Sequence, residues 1–302
     1  MYPSLDAPAL RPLTQREFEQ FRRLARDTFG LDLGAGKEPL VAARLGKVAG
    51  RLRMRSYQEY YEHVLADSTG QALLAMVEAL ATNHTGFLRE PEHFEFLAQI
   101  ALSEWQDRDR VRIWSTACSS GEEPYSAAFC LLDCATPRTT GNIDIFATDI
   151  SNRVLEAAAN GVYAAARFAN VPRHWLSRYL LRGQGHFEGF YRIKPEVQRL
   201  VGLQRLNLIE PFPNMEPFSL IFCRNVMIYF DRPTQESLVG RAAALLEPGG
   251  YFFIGHSESL SAIEQPLEYV RPAIYRKPGP CGGAGKRNRA GSVSAPSLGE
   301  RA

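Results

Sequence analysis

The chain has 302 residues, 45% of them hydrophobic and 23% charged, with a formal net charge of +2. This composition is ordinary for a soluble globular protein, and the net charge decides nothing about partners, which only local clusters can do. No apolar run approaches the roughly 20 residues that a membrane helix needs, and the start MYPSLDAPALRPLTQ lacks a charged segment leading into an apolar one, so a cytoplasmic location is expected.

The first 90 residues read as helices and are expected to form an all-helical domain, 1–90. LTQREFEQFRRLARDTFG offers Thr14 as N-cap with Glu17 three residues later, then Phe18, Phe21, Ala25 and Phe29 at helical spacing, and Gly30 as terminator. LVAARLGKVAGRLRMR places Val41, Leu45, Val48 and Leu52 on one stripe and Arg44, Lys47, Arg51 and Arg55 on its neighbour. SYQEYYEHVLADS repeats the capping pattern with Ser56 and Glu59.

From about residue 110 the pattern changes. VRIWSTA, IDIFATDI, FSLIFCRNV and YFFIGH are strand-like, and helical stretches follow the first three, which predicts an α/β domain over 91–277 built on a doubly wound parallel sheet. Ser151 can cap NRVLEAAAN, and Pro233 suits the first turn of a helix ending at Pro248, Gly249 and Gly250. A glycine-punctuated stretch with Gly183, Gly185 and Gly189 predicts a small antiparallel β insert over about 180–203. The end, 278–302, is rich in Gly, Pro, Ser and Arg and is expected to be a disordered tail. Five cysteines include no C-x-x-C pair, so buried thiols are expected rather than disulfides or a zinc site, and no metal is expected.

In open parallel sheets ligands bind beyond the carboxyl ends of the strands. The candidates there are Cys118 to Glu123, Asp149, Asn207 with Leu208, and Arg224 with Asn225. TACSSGEEPYS has one glycine and two adjacent acids, which would repel a pyrophosphate at the helix start and favour a cationic ligand. Glu122 and Glu123 could instead simply complement the helix dipole. Asp149 can accept both hydroxyls of a ribose or serve as an N-cap. TNHTGFLREPEHF gathers Thr82, Asn83, Thr85 and Arg89, and Arg89 could clamp a carboxylate or pair with a nearby acid. Tyr229 could be functional or a half-buried aromatic. The basic stripe could be a solvated face or a dock for an acidic helix; no aromatic residues interleave it, which weakens a nucleic-acid reading.

Taken together, TNHTGFLRE, RIWSTACSSGEEPYS, FATDIS, FCRNVMIYFD and GGYFFIGHSESL resemble, in this order and spacing, the CheR family of chemoreceptor glutamate methyltransferases over about residues 10–277. The resemblance implies a Rossmann-like methyltransferase sheet with a helical N-terminal domain. It implies S-adenosylmethionine as methyl donor, S-adenosylhomocysteine as product, and as acceptor a glutamate on the cytoplasmic helical region of a chemoreceptor. By motif, Asn83, Thr85, Arg89, Glu123, Asp149, Asn207, Leu208, Arg224 and Asn225 would line the donor site, with Asp149 on the ribose and Glu123 on the amino-acid end. Arg89 and Tyr229 are the catalytic candidates. Arg44, Lys47, Arg51 and Arg55 would meet the receptor helix, and the insert with Gly183, Gly185 and Gly189 would contact the receptor, in some members through its C-terminal peptide. A monomer acting on protein, with no nucleic acid and no membrane insertion, is expected. Against the family's frequent TAFFRE, this chain has TGFLRE, with Gly86 and Leu88 as departures. Rival readings are an RNA methyltransferase, which RNA filter binding would reveal, a donor-sensing scaffold without catalysis, which a labelled-methyl assay would reveal, and a nicotinamide enzyme, which NADH fluorescence would reveal.

Overall fold

The structure is a computed structural model that describes residues 10–34, 36–81, 84–134 and 142–279. The chain divides into two compact units. The first comprises residues up to Asn83 with two later segments, Asn207–Pro211 and Ile228–Gln235, and the second takes the remainder. Residues 84–90 therefore group with the second unit, and the tail prediction for 278–302 falls almost wholly outside the described residues.

The first unit holds α1 (Gln15–Phe29), α2 (Glu38–Arg51), α3 (Tyr57–Ala66) and α4 (Gln71–Leu80). The predicted capping box is present on α1. Thr14 accepts from the Glu17 N–H, the Glu17 carboxylate takes the Thr14 N–H at 2.8 Å, and Gly30 closes the helix in the left-handed conformation. The other Glu17 oxygen accepts from Gln58 N at 3.0 Å, so one side chain caps α1 and ties it to the start of α3. Phe18, Phe21 and Ala25 are buried as the periodicity demands. On α2 the buried stripe is Val41, Leu45 and Ala49, whereas Leu52 is 48% exposed. The helix ends at Arg51, and the turn beyond it, with Arg53 at φ 56°, destroys the phase that would have buried Leu52. The two late segments join this unit through a Leu31–Phe230 bridge and an Asn207 Nδ2 bond to the Thr28 carbonyl at 2.9 Å.

The second unit is built on a seven-stranded sheet of β1 (Val111–Ser115), β2 (Ile143–Asp149), β6 (Val201–Arg205), β7 (Phe218–Cys223), β8 (Leu246–Ile254), β9 (Glu268–Arg271) and β10 (Ile274–Arg276). The order is β6-β2-β1-β7-β8-β10-β9; the first five strands pair in parallel, and β10 is antiparallel to both its neighbours. Helices α5 (Pro91–Ser103), α6 (Glu122–Cys134), α7 (Asn152–Asn160) and α10 (Arg232–Ala244) alternate with the strands along the chain. Every residue of β7 is buried, the mark of a central parallel strand covered on both faces. Phe94, Ile113, Phe129, Ile145, Phe222 and Phe253 are fully buried in the core beneath it. Burial also raises the thiols of Cys118 and Cys223, and a hydrogen bond with Cys134 together with burial raises that of Cys130, as expected for thiols kept inside the fold.

Two boundaries differ from the sequence reading. The helix before YFFIGH stops at Ala244, and Pro248, Gly249 and Gly250 belong to the irregular start of β8, where the pairing with β7 shifts register. The insert is a three-stranded antiparallel sheet in the order β3-β5-β4, with β3 (Val162–Ala164), β4 (Leu180–Arg182) and β5 (Phe190–Ile193). Between β3 and β4 lie a 3-10 turn, Ala165–Phe168, and α8 (Arg173–Tyr179); α9 (Pro195–Gln198) follows β5. Residues 201–203 are not part of the insert. They start β6, which pairs in parallel with β2, because the Pro195 helix breaks the alternation that had suggested one continuous ribbon. Gly183, Gly185 and Gly189 shape the β4–β5 connection. A Cβ on Gly183 would collide with the Phe187 carbonyl oxygen, so no other residue fits there.

Candidate functional site

The carboxyl ends of β1, β2 and β7 converge on one acidic centre in the second unit. The Cys118 N–H bonds to the Thr148 carbonyl at 2.8 Å, and the Thr116 N–H bonds to the Phe222 carbonyl at 3.0 Å, so the turn after β1 is stitched to both neighbours. Of the six described non-glycine residues with positive φ, Leu88, Glu90, Ser119 and Asn225 fall in the segments that build this centre. Such backbone is disfavoured for residues with a Cβ and is held only where the surroundings over-determine it.

Asp149 ends β2 and is 8% exposed. Its carboxylate accepts from Ser119 N at 2.9 Å and Ser151 N at 3.0 Å. Ser151 itself caps α7, its Oγ accepting from Val154 N, so helix capping does not account for Asp149. The two adjacent acids part company. Glu123 accepts from Ser115 Oγ at 2.7 Å and from Arg224 Nη1 at 2.8 Å. Glu122 is fully buried, accepts from Ser120 Oγ at 2.7 Å, and meets Arg167 Nη2 at 2.5 Å, an ion contact rather than an aligned hydrogen bond.

Arg224 is the hub. Its side chain is 1% exposed, one nitrogen bonds Glu123, and the other bonds Glu90 at 3.0 Å and the Arg89 carbonyl. It thereby ties the segment before α5 to the first turn of α6. Asn225 Nδ2 reaches the same Glu90 carboxylate at 3.3 Å. The Arg89 side chain donates to the His84 carbonyl at 2.7 Å, and the Thr85 carbonyl accepts from Arg167. Gly86 lies in the turn ahead of α5, and Leu88 is buried.

Burial pushes the Glu123 carboxyl up, the Arg224 guanidinium and the Ser115 hydroxyl opposing it. Burial would also raise Glu90, but Arg224 and the surrounding hydrogen-bond donors together outweigh it and hold Glu90 below the usual range. A raised folded value means that ionised Glu123 costs stability: its contribution is complete below the ordinary carboxyl range and is lost as pH rises through the folded value. Glu123→Gln is therefore expected to leave the unfolding temperature of the ligand-free protein at pH 7.5 unchanged or higher, while weakening binding of S-adenosylhomocysteine by about tenfold or more. Calorimetry reads both; a fall of several degrees would contradict the assigned cost.

Several contributors carried no signal in the sequence reading. Glu90 closes TNHTGFLRE but gained meaning only from Arg224 opposite it. Glu258, in GGYFFIGHSESL, accepts from the N–H groups of Gly255, Asn225 and Met227 at 2.6, 2.8 and 2.8 Å and so sets the loop after β7. His93 is buried, neither ring nitrogen has a hydrogen-bond partner among the described residues although Nδ1 lies 3.4 Å from the Glu90 carboxylate, and burial with the Arg224 charge brings it down to about 3, so it is neutral. Among the described residues, the ligand atoms of Glu90, His93 and His256 lie within 4.8 Å of one another. A dication there would share the Glu90 carboxylate with a fixed guanidinium, and the electrostatics oppose it.

The remaining sequence candidates lie in the first unit or outside the description. Asn83 lies outside the described residues, as does Thr82. Asn207 bonds Thr28 and Glu210, and Tyr229 is half-buried with its carbonyl accepting from Asp32 N at 2.7 Å. Leu208 is buried. Lys47, Arg51 and Arg55 are exposed, but Arg55 lies beyond the end of α2, and Arg44 donates to the Leu80 carbonyl at the end of α4. No described helix is long and apolar enough to cross a membrane.

The donor chemistry fits. The carboxyls of Glu90, Glu122, Glu123 and Asp149 outnumber the guanidiniums of Arg167 and Arg224, so the turn favours a cationic ligand. A doubly wound sheet with one reversed strand beside its far edge, carrying an acidic first turn in place of a glycine-rich one, fits the S-adenosylmethionine-dependent methyltransferase class that the sequence motifs imply. Residues 83–275 match the family described as "CheR methyltransferase, SAM binding domain" and residues 16–81 match "CheR methyltransferase, all-alpha domain". The chain belongs to the CheR methyltransferase family.

Among its relatives are Chemotaxis protein methyltransferase 2 of Pseudomonas aeruginosa, 39% identical over 263 residues (87% of this chain, 93% of the relative), and the chemotaxis protein methyltransferase of Klebsiella aerogenes, 38% identical over 265 residues (87% and 90%). That of Borreliella burgdorferi is 35% identical over 276 residues (88% and 95%).

Proposed function

We propose that the protein is a protein-glutamate O-methyltransferase. In this reading it transfers a methyl group from S-adenosylmethionine to glutamate side chains of methyl-accepting chemotaxis receptors, giving methyl esters and S-adenosylhomocysteine in sensory adaptation. The observation that carries the reading is the Arg224-clamped acidic turn beside Asp149, in a chain whose two parts both match the family. Asp149, fixed by two backbone donors, would take the ribose; Glu123 would take the amino-acid end of the donor. Thr85, Arg89, Arg224 and Asn225 belong to the same assignment, and Asn83, Asn207 and Leu208 join it by motif.

Bound, S-adenosylmethionine supplies a methyl group already activated by its positive sulfur. An acceptor glutamate with an ordinary pKa of about 4.3 is ionised at neutral pH, so no side chain is needed to remove a proton. What this chain supplies is alignment and exclusion of water. Arg89 orients the acceptor or the donor's carboxylate, and Tyr229 donates a hydrogen bond to the acceptor. Tyr229→Phe is accordingly expected to lower kcat by about tenfold with little change in S-adenosylhomocysteine affinity; full turnover would remove Tyr229 from this role.

The exposed Lys47, Arg51 and Arg55, with the insert around Gly183, Gly185 and Gly189, are assigned to the receptor's cytoplasmic helices, and Arg44 retains its place in the stripe. The protein would act in the cytoplasm as a monomer. Transfer of labelled methyl from S-adenosylmethionine to purified receptor fragments, with release of the label by mild base, tests the proposal. Absence of base-labile label on any receptor fragment, with S-adenosylhomocysteine binding intact, would overturn the choice of acceptor.

A further inference from the structure

We propose that Arg167 and Tyr163, both in the β insert region, are positioning residues for the methyl donor, holding the acidic turn after β1 in its binding shape. The inference rests on the reading that this turn takes S-adenosylmethionine.

Tyr163 is the middle residue of β3 and is buried. Its hydroxyl donates to the Ser120 carbonyl at 2.6 Å. Arg167 sits in the 3-10 turn that follows, with one guanidinium nitrogen on the buried Glu122 carboxylate and the other 3.3 Å from the Thr85 carbonyl. Gly121 completes the contact. It has φ 97°, and a Cβ there would lie 2.8 Å from Ala158 Cβ and 2.9 Å from the Tyr163 hydroxyl. Phe87 stacks on Phe168 at 4.3 Å and meets Tyr163 edge-on at 5.0 Å, so the segment carrying Arg89 is gripped by the same strand and turn. One end of the insert thus contacts both segments that form the acidic centre.

The physical consequence follows from Glu122. A fully buried carboxylate without its cation carries a large desolvation cost, which the protein escapes by letting the turn move toward water. Ser119 lies in that turn at φ 49°, and its N–H fixes Asp149; Glu123 follows Glu122 directly. Motion at Glu122 would therefore misplace both groups assigned to the donor. The Arg167 side chain is 44% exposed, so its removal opens no cavity in the core, and the effect is expected at the donor site rather than in folding.

The test is isothermal titration of S-adenosylhomocysteine into the full chain and its variants, with thermal unfolding in parallel. Arg167→Ala is expected to weaken binding about tenfold, equivalent to about 1.4 kcal/mol. Adding Glu122→Gln removes the orphaned charge and is expected to return affinity to within about threefold of wild type, a recovery that a loss of packing would not show. Arg167→Lys, which keeps the charge, and Tyr163→Phe, which loses one hydrogen bond, should each weaken binding by no more than about fivefold. In turnover, Arg167→Ala should raise the KM for S-adenosylmethionine far more than it lowers kcat. Wild-type affinity in Arg167→Ala, or no recovery in the double variant, overturns the inference while leaving the donor reading in place. Failure of the wild-type protein to bind S-adenosylhomocysteine overturns both.

Discussion

Arg224→Ala is expected to destabilise the protein by about 3–5 kcal/mol, because it leaves the Glu90 and Glu123 carboxylates, only 14% and 13% exposed, without the guanidinium between them. For a unit of this size that is a fall in Tm of about 10 °C. The pH dependence gives the prediction its signature. In the wild type Glu90 is held below its ordinary value, so its contribution to stability is in place above the usual carboxyl range and disappears as pH falls through the depressed folded value. Without Arg224, burial dominates at both carboxyls and their folded values rise. The variant is then penalised at neutral pH and relieved as both groups take up protons. The gap in Tm between wild type and variant should be widest near pH 7.5 and should narrow toward pH 4. A gap of constant size across that range would show that the loss is one of packing against Phe94 and Phe222, over whose rings the guanidinium also lies. Arg224→Lys should be intermediate, since an ammonium cannot bridge two carboxylates and a carbonyl with the geometry of a guanidinium.

Asp149→Ala carries the largest expected effect on ligand binding, a loss of about a hundredfold in S-adenosylhomocysteine affinity. Its carboxylate is fixed by the Ser119 and Ser151 N–H groups. The substitution removes the acceptor assigned to the ribose and leaves those two donors without it. Each charge-assisted bond of this kind is worth about 1.5–3 kcal/mol, and a buried donor without a partner costs a comparable amount. Asp149→Asn keeps one carbonyl oxygen in place and should fall between the two. Titration calorimetry and unfolding of all three proteins separate the contributions. Should Asp149→Ala bind the product as tightly as wild type, the ribose assignment is wrong, whatever its effect on Tm.

Much of the architecture was legible because it is written in local and periodic terms. The Thr14–Glu17 capping box, the Phe18–Phe21–Ala25 stripe and the Ser151 cap depend on residues three or four apart, and the structure contains each of them. The parallel strands were visible because burial on both faces demands unbroken apolar runs such as FSLIFC. Errors came where local grammar was ambiguous. The alternation in FYRIKPEVQRLV ran a strand of the insert into a strand of the main sheet, and the Arg44–Arg55 stripe assumed that a helix continued past Arg51.

The sequence by itself determined the class of fold, the acidic character of the first turn and the family, since each follows from residue order and from charge at a strand end. Only the tertiary structure decided what each acid does. Glu122 and Glu123 are chemically alike and adjacent, yet one is neutralised by Arg167 and the other by Arg224, residues 45 and 101 positions away. Glu90 and Glu258 acquired their roles in the same way. A partner that arrives from a distant segment leaves no period and no spacing in the chain, and the interaction exists only once the strands have brought the two side chains within contact.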